Sequence, residues 1–416
     1  MTDPTALDNQ LSQLEQEQFA RDLGALSRRV RKRPLVLFFG RATFSDNTKY
    51  LYLRALAEPR DYEVYWCSAD DELVNQLRAA GLPCLHLGEQ VDVSIDLLLH
   101  AAVAVFCVNP NESVRGMFPL VSCLDGARKI QLWHGVSVKR LTLQLVSYLG
   151  VREQALRRPW EFSSRADHVL STASCLDPFW REVFGCRNLL RAGYPRNEVI
   201  LRPADAHEMI GADIGAEAAD ALVQGRRRAL LVVPTWQRND PTWLSGTDFI
   251  ARLLRHARRR GFDLYLKIHP TFARTDAIES ARRTEGLYLL HPGADVYPWL
   301  PRFDGLLTDY SSMMFDFLLS GKPVLRLDMP PGCHQDFEPD FSLIPDGAFA
   351  HVFTRDDLEA RVDRAFGADD LRDARAAMAA RLFETDPLQA AAQLMRRIDR
   401  MVAEATADDF RVELLD

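Results

Sequence analysis

Short apolar runs rich in β-branched and aromatic residues recur along this chain, at Leu35 to Phe39, Glu63 to Trp66, Ala102 to Val108, Ile130 to Trp133 and Val169 to Thr172. Helical stretches separate them. Strands spaced in this way are too far apart for hairpins and are expected to pair in parallel, each joined to the next by a crossover helix that covers one face of the sheet. The pattern breaks between Arg202 and Arg228, where Ala, Asp, Glu and Gly dominate and large apolar residues are few. It restarts with Ala229-Leu-Leu-Val-Val-Pro234 and continues at Leu264 to Ile268, Leu287 to Leu290, Gly305 to Thr308 and Val324 to Leu327. We therefore expect an α/β protein with two Rossmann-like domains facing a cleft. An amphipathic helix occupies residues 1–33, the first domain 34–205, and the second domain 206–416, ending in Ala- and Arg-rich helices from Asp356 onward.

With 416 residues, 47% of them hydrophobic and 26% charged, the chain is long enough for two ordinary cores. Its formal net charge of -7 argues against a general nucleic-acid binder. Two basic clusters, Arg28 to Arg33 and Arg226 to Arg228, can meet anionic surfaces or serve as solvated helix ends. The seven cysteines form no CxxC pair, so neither a zinc site nor a disulfide framework is indicated, and a reducing cytoplasm fits. The polar N-terminus lacks the order of a secretory signal, and the apolar run Leu97 to Val108 is too short to span a bilayer. Leu11, Leu14, Phe19, Leu23, Leu26 and Val30 recur at near-helical spacing ahead of the first basic cluster. Such a helix packs on the chain's own core or lies on an anionic membrane. The expected location is cytoplasmic, with peripheral contact at the inner face of the cytoplasmic membrane as the further option.

The polar motifs fall at the carboxyl ends of these strands, where open parallel sheets form ligand crevices. Asp304-Gly-Leu-Leu-Thr-Asp-Tyr-Ser-Ser-Met-Met-Phe-Asp-Phe317 runs a strand into a Ser-Ser step and a helix. Ser311 or Ser312 can cap that helix while its first N–H groups and dipole attract an anion; an ordinary capped helix is the plainer alternative. Lys129-Ile-Gln-Leu-Trp-His-Gly135 delivers Trp133, His134 and Gly135 to such an end, with Lys139 close behind. A histidine there can take a proton from an attacking hydroxyl, and a glycine permits close approach. Thr235 and Trp236 end another strand ahead of Arg238, and Lys267 and His269 share one face of a third, His269 held extended by Pro270. The combination points to cancellation of phosphate charge, with structural roles for each histidine as the alternative.

Trp133-His-Gly-Val-Ser-Val-Lys139, Gly193-Tyr-Pro-Arg-Asn197, Pro234-Thr-Trp236, Lys267-Ile-His-Pro270 and Thr308-Asp-Tyr-Ser-Ser312, followed by Phe315-Asp-Phe317 and Lys322-Pro323, stand in the order and approximate spacing of the CDP-glycerol glycerophosphotransferase family. The chain resembles a member from about Ile130 to Pro323. The resemblance implies a metal-independent, GT-B-like fold in which a hydroxyl attacks the phosphorus bearing glycerol or ribitol and CMP leaves. It implies that His134 is the general base and that Lys267, His269, Ser311 and Ser312 hold the donor phosphates, with His269 counted beside His134 as catalytic. Trp133, Gly135, Lys139, Arg196, Thr235, Arg238 and Asp309 complete the expected substrate-binding set. Two departures stand out: Gln237 fills the place where the family carries Arg after Pro-Thr-Trp, and Asp328-Met-Pro-Pro-Gly-Cys333 replaces a Tyr- and Asp-containing stretch.

Asp309 is open between orienting His269, bonding a donor hydroxyl, and forming an Asx turn. No DxD pair stands in an obvious loop, so no metal or other cofactor is expected. The expected partners are a CDP-alcohol donor and a glycan, polymer or lipid-linked acceptor in teichoic-acid-like or capsule synthesis, without nucleic acid. A glycosyltransferase of the same architecture using a nucleotide sugar, such as a CMP-linked acidic sugar, is the enzymatic alternative. A non-catalytic nucleotide-binding scaffold is the alternative of another class.

Overall fold

The computed structural model describes residues 4–115, 117–137, 166–186, 188–235, 247–267, 285–328 and 349–407. Two all-parallel sheets form the frame. The first comprises β1 (Arg33–Phe39), β2 (Glu63–Ser68), β3 (Cys84–His86), β4 (Ala101–Phe106), β5 (Arg128–Gln131), β6 (His168–Ser171) and β7 (Asn188–Arg191), in the spatial order β3-β2-β1-β4-β5-β6-β7. The second comprises β8 (Arg228–Val233), β9 (Phe262–Leu266), β10 (Leu287–Leu289), β11 (Gly305–Thr308), β12 (Val324–Leu327) and β13 (His351–Phe353), in the order β10-β9-β8-β11-β12-β13. The central strands are continuous apolar runs because helices cover both of their faces. In register, β1 sets Phe38 between Trp66 and Val105, all three buried.

Strand order reverses between β1 and β4 in the first sheet and between β8 and β11 in the second. These are the places where a parallel sheet opens a crevice at its carboxyl edge. The short strands β3, β7 and β13, absent from the expected set, lie at sheet edges, where three or four residues suffice and no long apolar run is needed.

The N-terminal helix spans Pro4–Arg29 and packs on the helices Val91–His100 and Phe118–Ser122 of the first lobe. The face it buries carries Glu17, Ala20, Leu23 and Ser27, with Ser27 Oγ donating to the Cys123 carbonyl at 2.5 Å. Of the described side chains of the expected apolar stripe, only Leu23 is buried. Val30 is half-buried, Leu14, Phe19 and Leu26 are exposed, and the Leu11 side chain lies outside the described residues. The helix that ends the 206–416 segment, Ala390–Thr406, packs on the first sheet, against β1, β4 and the helix Asp46–Leu56. Its Ala391 N–H donates to Glu198 at 2.8 Å.

Buried charge ties the lobes together. Lys49 Nζ lies 2.8 Å from Asp295 Oδ2, with side-chain exposures of 0% and 1%. The same carboxylate oxygen accepts from Tyr50 OH at 2.7 Å, while Lys49 also donates to the Glu208 carbonyl of the linker at 2.6 Å. Removing one member of such a pair leaves the other charge desolvated and alone. We therefore expect Asp295→Ala to lower stability by about 3–5 kcal/mol, read as a fall in the urea midpoint. An unchanged midpoint would mean that the tie contributes nothing.

Candidate active site

At the carboxyl edge of the first sheet, the chain leaving β5 turns sharply. Trp133 adopts φ +57, a left-handed conformation that costs a bulky residue roughly 1–3 kcal/mol and so needs support on several sides. Gln131 supplies part of it: its Oε1 accepts from the Trp133 N–H at 2.9 Å, and its Nε2 donates to the Val108 carbonyl at 2.9 Å. Asn47, from the helix after β1, donates to the Trp133 carbonyl at 2.8 Å. The indole packs edge-on against Phe184 and Trp180.

This turn presents His134. Its ring lies 4.3 Å from that of Trp133, and Nδ1 lies 3.2 Å from the Cys107 carbonyl at the end of β4. A carbonyl can only accept, so Nδ1 carries the proton and Nε2 is the basic nitrogen. The His134 carbonyl faces the second lobe. It accepts from Arg196 Nη2 at 2.9 Å and lies 3.5 Å from Ser312 Oγ. Gly135 follows at φ +120, and a Cβ there would sit 2.7 Å from Arg196 Nη2 and 3.1 Å from Ser312 Oγ.

In the second lobe, Thr308 Oγ1 donates to the Val233 carbonyl at 2.6 Å and accepts from the Ser311 N–H at 3.3 Å, shaping the turn after β11. The helix that follows, Met313–Phe317, has five residues and passes into a 3-10 turn over Leu318–Ser320. Its dipole is correspondingly short, so attraction for an anion at the half-buried Ser311 and Ser312 would come from local N–H and hydroxyl groups. Ser312 occupies the cap position without capping through its side chain. Lys267, at the end of β9, donates to the carbonyls of Ala294 at 2.7 Å and Pro292 at 3.3 Å. Burial lowers its pKa to about 8.

Two residues of the expected substrate-binding set are engaged by protein groups. Arg196 is only 4% exposed. Its guanidinium bonds Asp46 Oδ1 at 2.7 Å and Asp316 Oδ2 at 2.6 Å and lies 4.4 Å from the Tyr297 ring centroid, so it braces the site from within. Asp309, fully buried, accepts from the N–H groups of Thr235 at 3.0 Å and Tyr310 at 2.7 Å and from the Thr235 hydroxyl. It thereby ties the end of β11 to the chain leaving β8, with Thr235 as its partner. Trp133, His134, Gly135, Arg196 and Ser312 meet at one junction, with Ser311 beside it. Lys139, Arg238 and His269 lie outside the described residues.

Asp46 and Asn47 stand outside the expected set, and Asp316, within the Phe315-Asp-Phe317 motif, has no expected role. A signal was present in Ser45-Asp-Asn-Thr-Lys-Tyr50, an unbroken polar run at the carboxyl end of the first strand in which Asn47, Thr48 and Lys49 prove fully buried. Asp46 holds φ +71, and burial pushes its carboxyl pKa up against the pull of Arg196. Asp316, between Phe315 and Phe317, is a carboxylate in an apolar run that solvent cannot satisfy. Among the described residues, no group of three or more His, Cys, Asp or Glu side chains is placed to hold a metal ion.

Residues 24–329 match the family described as CDP-Glycerol:Poly(glycerophosphate) glycerophosphotransferase. The teichoic acid poly(glycerol phosphate) polymerase of Bacillus subtilis (strain 168) is 24% identical over 318 residues, which is 72% of this chain and 39% of that protein. The teichoic acid glycerol-phosphate transferase of Staphylococcus aureus (strain NCTC 8325 / PS 47) is 26% identical over 205 residues, 47% of this chain and 50% of that one. The chain thus spans half or less of the length of these relatives. Among solved structures, the wall teichoic acid polymerase TagF superposes with a TM-score of 0.69 at 16% identity, covering 97% of this chain and 99% of that chain. A UDP-N-acetylglucosamine 2-epimerase superposes at 0.55 and 12% identity, covering 89% and 96%. At these identities the likeness is one of fold, the GT-B-like pair of parallel-sheet lobes expected from the sequence.

The close approach at Gly135 leaves no room for a side chain. We expect Gly135→Ala to cost roughly 2–5 kcal/mol through backbone strain and overpacking against Arg196 and Ser312, measured by urea unfolding. A loss below about 0.5 kcal/mol, the range of an unconstrained surface substitution, would contradict the packing described.

Proposed function

The chain belongs to the CDP-glycerol:poly(glycerophosphate) glycerophosphotransferase family, and on that footing we propose that it transfers a glycerol-phosphate or ribitol-phosphate unit from a CDP-alcohol to a hydroxyl of a glycan, polymer or lipid-linked acceptor. In the reaction, the acceptor oxygen bonds to the phosphorus bearing the alcohol, the bond from that phosphorus to the bridging oxygen breaks, and CMP departs with the electron pair. The acceptor's proton passes to His134 Nε2. The observation that carries this reading is the Nδ1 contact of His134 with the Cys107 carbonyl, which makes Nε2 the basic nitrogen, on a residue whose backbone carbonyl lies 3.5 Å from Ser312 Oγ of the facing lobe.

Phosphoryl transfer asks for positioning and charge cancellation more than for a protein nucleophile. The turn at Ser311 and Ser312 offers hydroxyl and N–H donors for the leaving phosphate. Lys267 supplies positive charge when protonated, with one N–H beyond those it gives to Ala294 and Pro292. His269, Lys139 and Arg238 enter through family resemblance alone. Trp133 and Gly135 shape the turn that carries the base.

Purified protein incubated with CDP-glycerol, CDP-ribitol and a panel of nucleotide sugars should release CMP from a CDP-alcohol and form a phosphodiester on a hydroxyl acceptor. His134→Ala should lower kcat by about 10²–10⁴-fold while CDP-glycerol still binds. Transfer from a nucleotide sugar alone would replace this reading with a glycosyltransferase, and wild-type turnover by His134→Ala would remove His134 as the base.

No helix among the described residues is long and apolar enough to cross a membrane. We place the protein in the cytoplasm with its N-terminal helix against the inner membrane face. Leu14, Phe19 and Leu26 are 54%, 51% and 45% exposed on that helix, and the exposed Arg21, Arg28 and Arg29 flank them. Phe19 and Leu26 share a side of the helix, with Leu14 roughly 130° round from them, and exposed apolar and basic side chains together suit an anionic lipid surface. Replacing all three apolar residues with Ser leaves the packed face intact and should weaken sedimentation with phosphatidylglycerol vesicles by about tenfold or more. Unchanged sedimentation would remove this helix as the anchor.

A further inference from the structure

Asp316 is fully buried at the lobe interface, and three side chains donate to its carboxylate. Oδ2 accepts from Arg196 Nη2 at 2.6 Å and from Tyr297 OH at 2.6 Å, and Oδ1 accepts from Asn197 Nδ2 at 3.1 Å. The same Nη2 donates to the His134 carbonyl at 2.9 Å. Asp316 is also one helical turn from Ser312, whose Oγ lies 3.5 Å from that carbonyl. Two side chains on one face of a short second-lobe helix therefore converge on the backbone of His134, one directly and one through Arg196.

We propose that Asp316 is a positioning residue for the transfer: through Arg196 it fixes the peptide that carries His134, so that the base is correctly aimed only while the lobes are joined at the Ser312 helix. The inference rests on the function proposed above. The need for such a brace follows from the turn itself. Trp133 is held in a left-handed conformation, and the contact of the imidazole with Cys107 fixes the ring only if the backbone beneath it is fixed too. Arg196 is pulled in opposite directions by Asp46, bonded to Nη1, and Asp316, bonded to Nη2. Without the second carboxylate, the guanidinium can follow Asp46 and leave the His134 carbonyl. A displacement of about 1 Å at a reacting group is enough to cost about 100-fold in rate.

The test is Asp316→Asn in the full chain, which keeps the side-chain volume and removes the charge. Active sites are counted by CDP-glycerol binding stoichiometry, and kcat and donor KM are compared with wild type. We expect kcat per competent site to fall about 30-fold or more with donor KM within about threefold, because misplacing the base slows chemistry without removing the serine turn. A merely structural role would reduce the number of competent sites and leave their kcat intact, and that result overturns the proposal. Should Asp316→Asn fail to bind CDP-glycerol, Arg196→Lys decides. It keeps a cation for both carboxylates, but a single ammonium cannot reproduce the planar fork that also reaches the His134 carbonyl, so the same selective fall in kcat is expected and wild-type kcat refutes the idea. A wild-type protein inactive with every CDP-alcohol would sink the proposed function. Activity in wild type that both variants retain would sink only this inference.

Discussion

The arrangement depends on one desolvated guanidinium. Arg196 sits between Asp46 of the first lobe and Asp316 of the second, its face against Tyr297 and one nitrogen on the backbone of His134. Burying a cation is costly, and the charge-assisted bonds to two carboxylates offset that cost only while all partners are in place. This interdependence gives the junction a defined geometry. It also explains the density of polar side chains in the first turn of the Asp46–Leu56 helix, where an amphipathic helix facing solvent would be irregularly polar and partly exposed.

The two switch points supply complementary halves. The first sheet contributes a strained turn with a tautomer-fixed imidazole, and the second contributes a hydroxyl- and amide-rich turn with a lysine at the end of a neighbouring strand. In the proposed reaction the base stands in the first lobe and the anion-attracting turn in the second. The lobe contacts at Lys49 and Asp295 and at Arg196 and Asp316 are therefore part of the site, even though none of these side chains needs to touch a substrate.

Much of the fold was legible because central parallel strands are apolar on both faces and stand out against amphipathic helices. Leu35 to Phe39 and Ala229 to Val233 are strands on composition alone. Edge strands such as Cys84–His86 carry no such signature. The candidate site was legible at the level of strand ends, which located His134, Gly135 and Ser312 together. It was not legible at the level of partners. Whether Arg196 meets a ligand or a carboxylate depends on the residues facing it across the cleft, and Asp316 is 120 positions away in sequence. Asp309 likewise faces inward, where it accepts from the N–H of Thr235, beyond the end of β8.

The return of the Ala390–Thr406 helix to the first sheet has a mechanical corollary. Among the described residues, the backbone passes from one half to the other through the stretch after Arg202 and again after Leu382, where Glu384 bonds the Thr172 carbonyl and Ser174. Two separate straps between rigid bodies resist twisting and permit rotation chiefly about the line joining them, as a door swings on a pair of pins. Any opening that admits a bulky alcohol acceptor would then have to respect both straps, and cutting the polypeptide at either one would remove a constraint on how the halves turn.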